Sequence, residues 1–293
     1  MSPRPPIQLL LVPYDSGHRG QRMGEGPDHL LRQGAASALR SAGLEVHTEY
    51  VESSLAFRTE VATHFELCAL VAGQVSGAVA EGRRPIVLSG NCGIAMGTVA
   101  GLLDGGGSEV GVVWLDAHGE FNTPDTSASG FLDGMGLTVI TGRSWRTIAG
   151  TVRGFAPIPD DRVLLAGVRD LDEAEGAIIA RSDVHLVRAE MVRDDGLAAM
   201  LEPALDALAR RVRRVYLHVD LDVLDPVVGR ANQFAPAGGF TRGELVEAVR
   251  LVGERFTIAA AGIASYDPSY DADGSVFSAA VAVLDGVAES GWP

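Results

Sequence analysis

One alternation limits what this chain can fold into: short, β-rich and near-continuously apolar runs are separated by longer segments with helical spacing. The runs are Ile7–Pro13, Val46–Val51, Ile86–Gly90, Val110–Asp116, Val163–Val168, Val184–Val187, Val215–Asp220 and Ile258–Ala264. A strand with one wet face alternates apolar and polar residues, whereas a strand covered on both faces reads as a continuous apolar run. Segments of helical length lie between most of them, including Pro27–Ala42, Glu60–Ala80, Cys92–Leu103, Met191–Arg211 and Arg242–Glu254. Pro27 suits a first helical turn, Thr241 and Glu244 have capping-box spacing, and Gly43 follows Leu39–Ala42 as a stop. The alternation predicts the α/β class, a mostly parallel sheet with helices on both faces. No repeat, low-complexity stretch or linker divides the 293 residues, so a single domain over residues 1–293 is expected. Asn122–Gly136 and Leu224–Phe240 are its longest stretches without periodicity, and such loops are usually functional.

The charge balance removes one class of partner. With 24 Lys+Arg against 38 Asp+Glu the chain carries a net charge of −14, whereas nucleic-acid binding needs a basic surface that releases counterions. The apolar run Ile7–Val12 is far shorter than the roughly 18–20 residues that span a bilayer, so neither a membrane segment nor a signal sequence is read there. Cys68 and Cys92 are the only cysteines and offer no disulfide framework; a cytoplasmic protein is expected.

Polar residues collect where the predicted strands end. Ile86–Gly90 leads into Asn91-Cys92, and Val110–Leu115 into Asp116-Ala-His118-Gly-Glu120-Phe-Asn122. Val163–Val168 leads into Arg169-Asp170-Leu-Asp172, Val215–Val219 into Asp220-Leu-Asp222, and Ile258–Ala264 into Ser265-Tyr266-Asp267-Pro268. Open α/β sheets bind ligands at these carboxyl ends. On extended backbone, Asp116, His118 and Glu120 point one way, as do Asp220 and Asp222. Such groups in one crevice repel each other, at a cost on the order of several kcal/mol, unless cations neutralise them. An oxygen-rich set with one imidazole suits Mn²⁺ or a similar divalent ion. His218 reads as packing or hydrogen-bonding beside the site, and Arg210–Arg214 as a solvated helix end.

Three blocks make the chain resemble the ureohydrolases, the family of arginase, agmatinase and their relatives. They are Asp116–Asn122, Ser127–Gly134 and His218–Pro226, supported by Gly24–Pro27, Arg169–Asp172 and Tyr266–Pro268 in the family's order. The resemblance implies a three-layer α/β/α sandwich with a mostly parallel sheet of about eight strands. It also implies a homo-oligomer, trimer or hexamer, and two Mn²⁺ ions that acidify a bridging water for attack on a planar guanidinium carbon. By position it makes Asp116, His118, Asp220 and Asp222 metal ligands. Glu120 falls where the family usually has Asp, and Cys92 where its first ligand is a His.

Four departures from the family pattern shape the expected chemistry. Cys92 as a thiolate, with four carboxylates, sets five negative charges against four on two divalent ions, which makes the bridging water less acidic. Cysteine in that slot also marks a branch that resembles Nω-hydroxy-L-arginine hydrolases, which release hydroxyurea. Glu120 is one methylene longer than Asp. Asp133 stands where arginases carry a proton-shuttling His, and serves as acid or base if neighbouring carboxylates raise its pKa. The family's guanidinium-binding Glu falls on Ser265, with Asp267 as the expected substitute. A buried cation without a carboxylate partner binds poorly, and hydroxyguanidine is much less basic than guanidine.

At the other end of the substrate, the resemblance assigns Asn122, Ser127 and Ser129 to an α-carboxylate, and Asp172 with Asp170 beside it to an α-ammonium. The implied partner is a small amino acid with a guanidino-type side chain: Nω-hydroxy-L-arginine first, L-arginine second, formimino-glutamate third. A catalytically inactive metal-binding homologue is the remaining class, and retention of the crowded acids argues against it.

Overall fold

The computed structural model describes residues 4–106 and 109–291; the ends of the domain expected over 1–293 lie outside the described residues. Among these, eight strands form one sheet: β1 (Ile7–Val12), β2 (Val46–Tyr50), β3 (Arg84–Ser89), β4 (Val110–Leu115), β5 (Val163–Val168), β6 (His185–Arg188), β7 (Arg214–Asp220) and β8 (Thr257–Ala264). Their order is β2-β1-β3-β8-β7-β4-β5-β6, with every neighbouring pair parallel. The continuous apolar runs of the six inner strands are explained by the two cores, whereas the edge strands β2 and β6 are mostly exposed or half-buried rather than covered on both faces. Leu9, Leu88, Val113 and Leu217 enter one, and Leu10, Val87, Val112 and Tyr216 the other. Helices Leu197–Ala209, Arg242–Arg255 and Ser275–Glu289 cover the first face, and Glu60–Ala80 and Ala95–Asp104 the second. This is the expected three-layer sandwich. None of the described helices is long and apolar enough to cross a membrane.

Local chemistry sets the helix ends. The Thr241 hydroxyl accepts from the Glu244 N–H at 3.2 Å while the Glu244 carboxylate accepts from the Thr241 N–H at 2.7 Å, the capping box read from sequence. Two expected helices are each broken in two. Gly34, at φ +105°, separates Gly26–Arg32 from Ala35–Ser41, and Gly196, at φ +91°, separates Ala189–Asp195 from Leu197–Ala209. The segment starting at Cys92 opens with a 3₁₀ turn, Cys92–Ile94, before helix Ala95–Asp104. Helix Ser275–Glu289 is an addition to the expected helices, with a buried stripe of Val276, Ala280, Val283 and Val287.

The strand order positions the site. β3, β8, β7 and β4 are consecutive neighbours at the centre of the sheet. The residues after their carboxyl ends therefore share one crevice: Cys92, Ser265, Asp220 with Asp222, and Asp116 to Glu120. β5, beside β4, adds Arg169 to Asp172.

Candidate metal centre

The acids converge, though not by extended-strand alternation. β4 ends at Leu115, and Glu120 has a left-handed backbone at φ +56°. β7 passes directly into a 3₁₀ turn, Leu221–Val223, in which the Asp220 carboxylate accepts from the Asp222 N–H at 2.8 Å. Turns fold these carboxylates back over the sheet edge, where a continued strand would carry them past it.

Asp116 lies at the centre of the arrangement. Its carboxylate accepts from the Trp114 indole N–H at 2.8 Å and from the His118 N–H at 2.8 Å. The His118 Nδ1 is 3.4 Å from Asp116 Oδ1 and 3.3 Å from Asp222 Oδ2. The Asn232 amide donates to Asp222 Oδ2 at 3.3 Å and to the Ser265 carbonyl at 2.8 Å. On the other side, Cys92 Sγ donates to Asp220 Oδ2 at 2.9 Å and lies 3.3 Å from Ser265 Oγ. Among the described residues, potential ligand atoms fall into two groups, each within 4.8 Å: Asp116, His118 and Asp222, and Cys92, Asp116 and His218. Glu120 Oε2 is buried without a hydrogen-bond partner among the described residues.

The electrostatics follow from that crowding. Burial, and then the surrounding carboxylates, push the Cys92 thiol and the Asp116, Glu120 and Asp220 carboxyls above their ordinary values. His118 is raised as well, for a different reason: burial opposes its protonation, but Asp222 and Asp116 together outweigh it. Burial also pushes against ionised Asp222, yet His118 holds its carboxyl below the usual range. His218 is pushed down to about 3 by burial. Divalent cations relieve such a set, because each ligand must be deprotonated to bind and each positive charge lowers the neighbouring pKa values. Asp116, common to both groups, and the buried Glu120 oxygen would help to hold such ions. The residues present fit a binuclear divalent centre.

A cavity of about 400 Å³ opens over this cluster. His118, Glu120, Asp133, Asp220, Asp222 and Ser265 line its buried part, with Cys92 and Asp116 buried behind them. Half-buried Ser127 and exposed Ser129, Asp170 and Asp172 lie towards solvent, and the Asn122 amide donates to Asp172 Oδ2 at 3.0 Å. The two long aperiodic stretches meet here: the rings of Phe131 and Phe234, both in the lining, are 5.6 Å apart.

Two expectations need correction. Asp267 does not line this cavity; its Oδ1 accepts from the Ser269 N–H and hydroxyl at 2.9 and 2.6 Å, capping the turn Pro268–Tyr270. The left-handed backbone of Ser265, at φ +60°, breaks the parity that would have aimed Asp267 alongside it. Asp133 is brought to the site, with its pKa raised to about 7, but burial is the leading cause rather than neighbouring carboxylates. Gly93 N–H and the Asn91 amide each donate to it at 2.8 Å.

Two contributors, Asn232 and Glu175, carry no mark in the sequence reading, and a third, Arg169, stands there only as part of a motif. Asn232 sits in the 224–240 stretch without any spacing pattern to mark it. Glu175, three residues after Asp172, is buried in the lining and accepts from the Phe121 N–H at 2.7 Å; burial raises its pKa to about 7. Its capping-box position was the available signal. Arg169 donates to the carbonyls of Gly167, Asp222, Val223, Leu224 and Pro236 at 2.7–3.2 Å, tying the Asp222 turn to β5. Arg169→Met leaves these carbonyls unpaired, so urea unfolding is expected to show a loss of about 3 kcal/mol. An unchanged midpoint refutes the tether.

The arginase-family sequence profile matches residues 6–288. The arginase of Bacillus caldovelox is 30% identical over 293 aligned residues, covering 95% of this chain and 96% of the relative. The arginase of Brevibacillus brevis is 28% identical over 291, covering 96% and 97%. A solved structure of the B. caldovelox arginase superposes with a TM-score of 0.90 at 28% identity, covering 99% of this chain and 100% of that one.

Proposed function

The chain belongs to the arginase family, and from that premise we propose that it hydrolyses Nω-hydroxy-L-arginine to L-ornithine and hydroxyurea at a centre of two Mn²⁺ ions. Family members are hydrolases of guanidino carbon–nitrogen bonds, and this chain is such a hydrolase of linear amidines. The cysteine-containing branch, a single catalytic domain, a cytoplasmic location and homo-oligomeric assembly belong to the same reading.

The observation that carries the substrate assignment is the pairing of Cys92 with Ser265. Their side chains lie 3.3 Å apart beside the cluster, where the resemblance places a His ligand and a guanidinium-binding Glu. Asp267 is turned away into its cap, so the pocket offers a hydroxyl where a fully charged guanidinium needs a carboxylate. A less basic hydroxyguanidine makes the smaller demand.

Asp116, His118 and Asp222 would hold one ion, and Cys92 with Asp116 the other, with Asp220, in contact with Cys92, and Glu120, whose buried oxygen faces the same cavity, completing the set. When bound, the ions supply Lewis acidity and a water acidified towards neutral pH. Asp133, buried and oriented by Gly93 and Asn91, takes up and returns a proton near neutrality. Asn122, Ser127 and Ser129 donate to the α-carboxylate while Asp170 and Asp172 accept from the α-ammonium. Phe131 and Phe234 line the outer part of the same cavity, their rings 5.6 Å apart.

The test incubates Mn²⁺-loaded protein with each substrate and follows ornithine. At least about tenfold higher kcat/KM for the hydroxylated substrate is expected, equivalent to ~1.4 kcal/mol of transition-state preference. Faster turnover of L-arginine overturns the assignment in favour of the second reading, an arginase, which the names of the similar relatives favour. Ornithine from neither substrate moves the reading to formimino-glutamate, and then to an inactive homologue.

A further inference from the structure

We infer that His218 is itself a ligand of the metal centre, its Nε2 supplying from β7 the neutral nitrogen donor that Cys92 does not provide. Only 1% of His218 is exposed, and its Nε2 is buried without a hydrogen-bond partner among the described residues. It shares a cluster within 4.8 Å with ligand atoms of Cys92 and Asp116, a group that contains no other imidazole among the described residues.

The surroundings fix the ring in a ligating orientation. Nδ1 lies 2.8 Å from the Tyr216 hydroxyl. With Nδ1–H donating to that oxygen, the Nε2 lone pair faces the cluster, the arrangement in which an outer partner sets the tautomer of a metal-bound histidine. The ring stacks on Trp114 with centroids 3.7 Å apart and planes 24° apart. The same Trp114 donates its indole N–H to Asp116, so one aromatic residue orients two neighbouring donors. Gly262 makes room for the tyrosine: a Cβ there would lie 2.1 Å from the Tyr216 hydroxyl. Register explains the assembly, because His218 pairs with Trp114 on one side and with Gly262 on the other.

The chemistry supports the same assignment. Imidazole adds a donor without adding charge to a set already rich in acids, so it strengthens ion binding where a further carboxylate would increase repulsion. A merely structural histidine in this pocket would leave a buried nitrogen unpaired.

This inference rests on the proposed divalent centre but not on the substrate. The test loads the full chain with Co²⁺ and counts the exchangeable, paramagnetically shifted imidazole N–H signals by proton NMR; Mn²⁺ binding is measured by titration calorimetry. Two histidine signals are expected, one lost in His118→Ala and the other in His218→Ala. His218→Ala is expected to weaken binding of one Mn²⁺ by at least about 100-fold, the upper end of what loss of an outer-shell partner costs. Tyr216→Phe should weaken it less and shift the surviving signal. The wild-type count needs no variant, so a folding defect does not obscure it. One signal with ions bound overturns the inference and leaves the proposed function standing; no ion bound overturns both.

Discussion

Asp220→Asn is expected to lower kcat/KM by about 10³-fold, ~4 kcal/mol, while making the ion-free protein more stable at alkaline pH. The two effects share one cause. Asp220 lies against Cys92 at 2.9 Å and caps the Asp222 turn, and burial with Asp222 and Asp116 raises its carboxyl well above the ordinary value. An acid whose folded-state pKa is raised binds more protons folded than unfolded, so its contribution to stability is lost as pH rises from the ordinary carboxylate value through the raised one. Asp116 and Glu120 shift in the same direction, and for Asp133 the window closes near pH 7. Asparagine keeps the oxygen that accepts from the Asp222 N–H but removes the charge. Urea unfolding in chelator should show a larger midpoint for the variant at pH 8 than for the wild type, with the difference shrinking at pH 5. Metal analysis should show less Mn²⁺ retained. Equal stability of the two ion-free proteins at pH 8 would mean that the acids do not strain the fold, and the electrostatic case for the cations would fail.

Ser265→Glu is expected to move the preference towards L-arginine by about 30-fold, ~2 kcal/mol, in the range of a hydrogen bond to a charged group. Ser265 is 3% exposed, lines the cavity and lies next to Cys92. A carboxylate there supplies the partner that a fully charged guanidinium lacks in the present pocket. The left-handed backbone at this position already carries a side chain, so glutamate adds no new backbone strain. The decisive quantity is the ratio of kcat/KM for the two substrates, which cancels general losses from altered metal affinity. A ratio unchanged in the variant means that Ser265 does not face the head group. Loss of the hydroxyarginine preference without a gain for arginine assigns the effect to the metal centre.

Much of the scaffold was legible because its signals are local. Continuous apolar runs such as Val110–Leu115 and Val215–Val219 dictate strands covered on both faces, and their polar continuations mark carboxyl ends. The Thr241 box and the Gly43 stop are settled within one helical turn. The helix breaks at Gly34 and Gly196 were missed because a glycine in a helical pattern is tolerated until the backbone adopts a left-handed conformation, which packing decides.

The sequence by itself determined the fold class, the acids of the site and their place at the sheet edge, because periodicity and strand-end chemistry depend on near neighbours. Only the tertiary structure decided which atoms meet. The Glu120 and Ser265 backbones turn left-handed, Asp267 is spent on a cap, and Asn232 and Glu175 arrive from other segments. His218, bland in sequence, faces Cys92 and Asp116 because β7 lies between β4 and β8, with Trp114 on one flank and Gly262 on the other. Those contacts depend on the order and register of strands far apart in the chain, which no local pattern encodes.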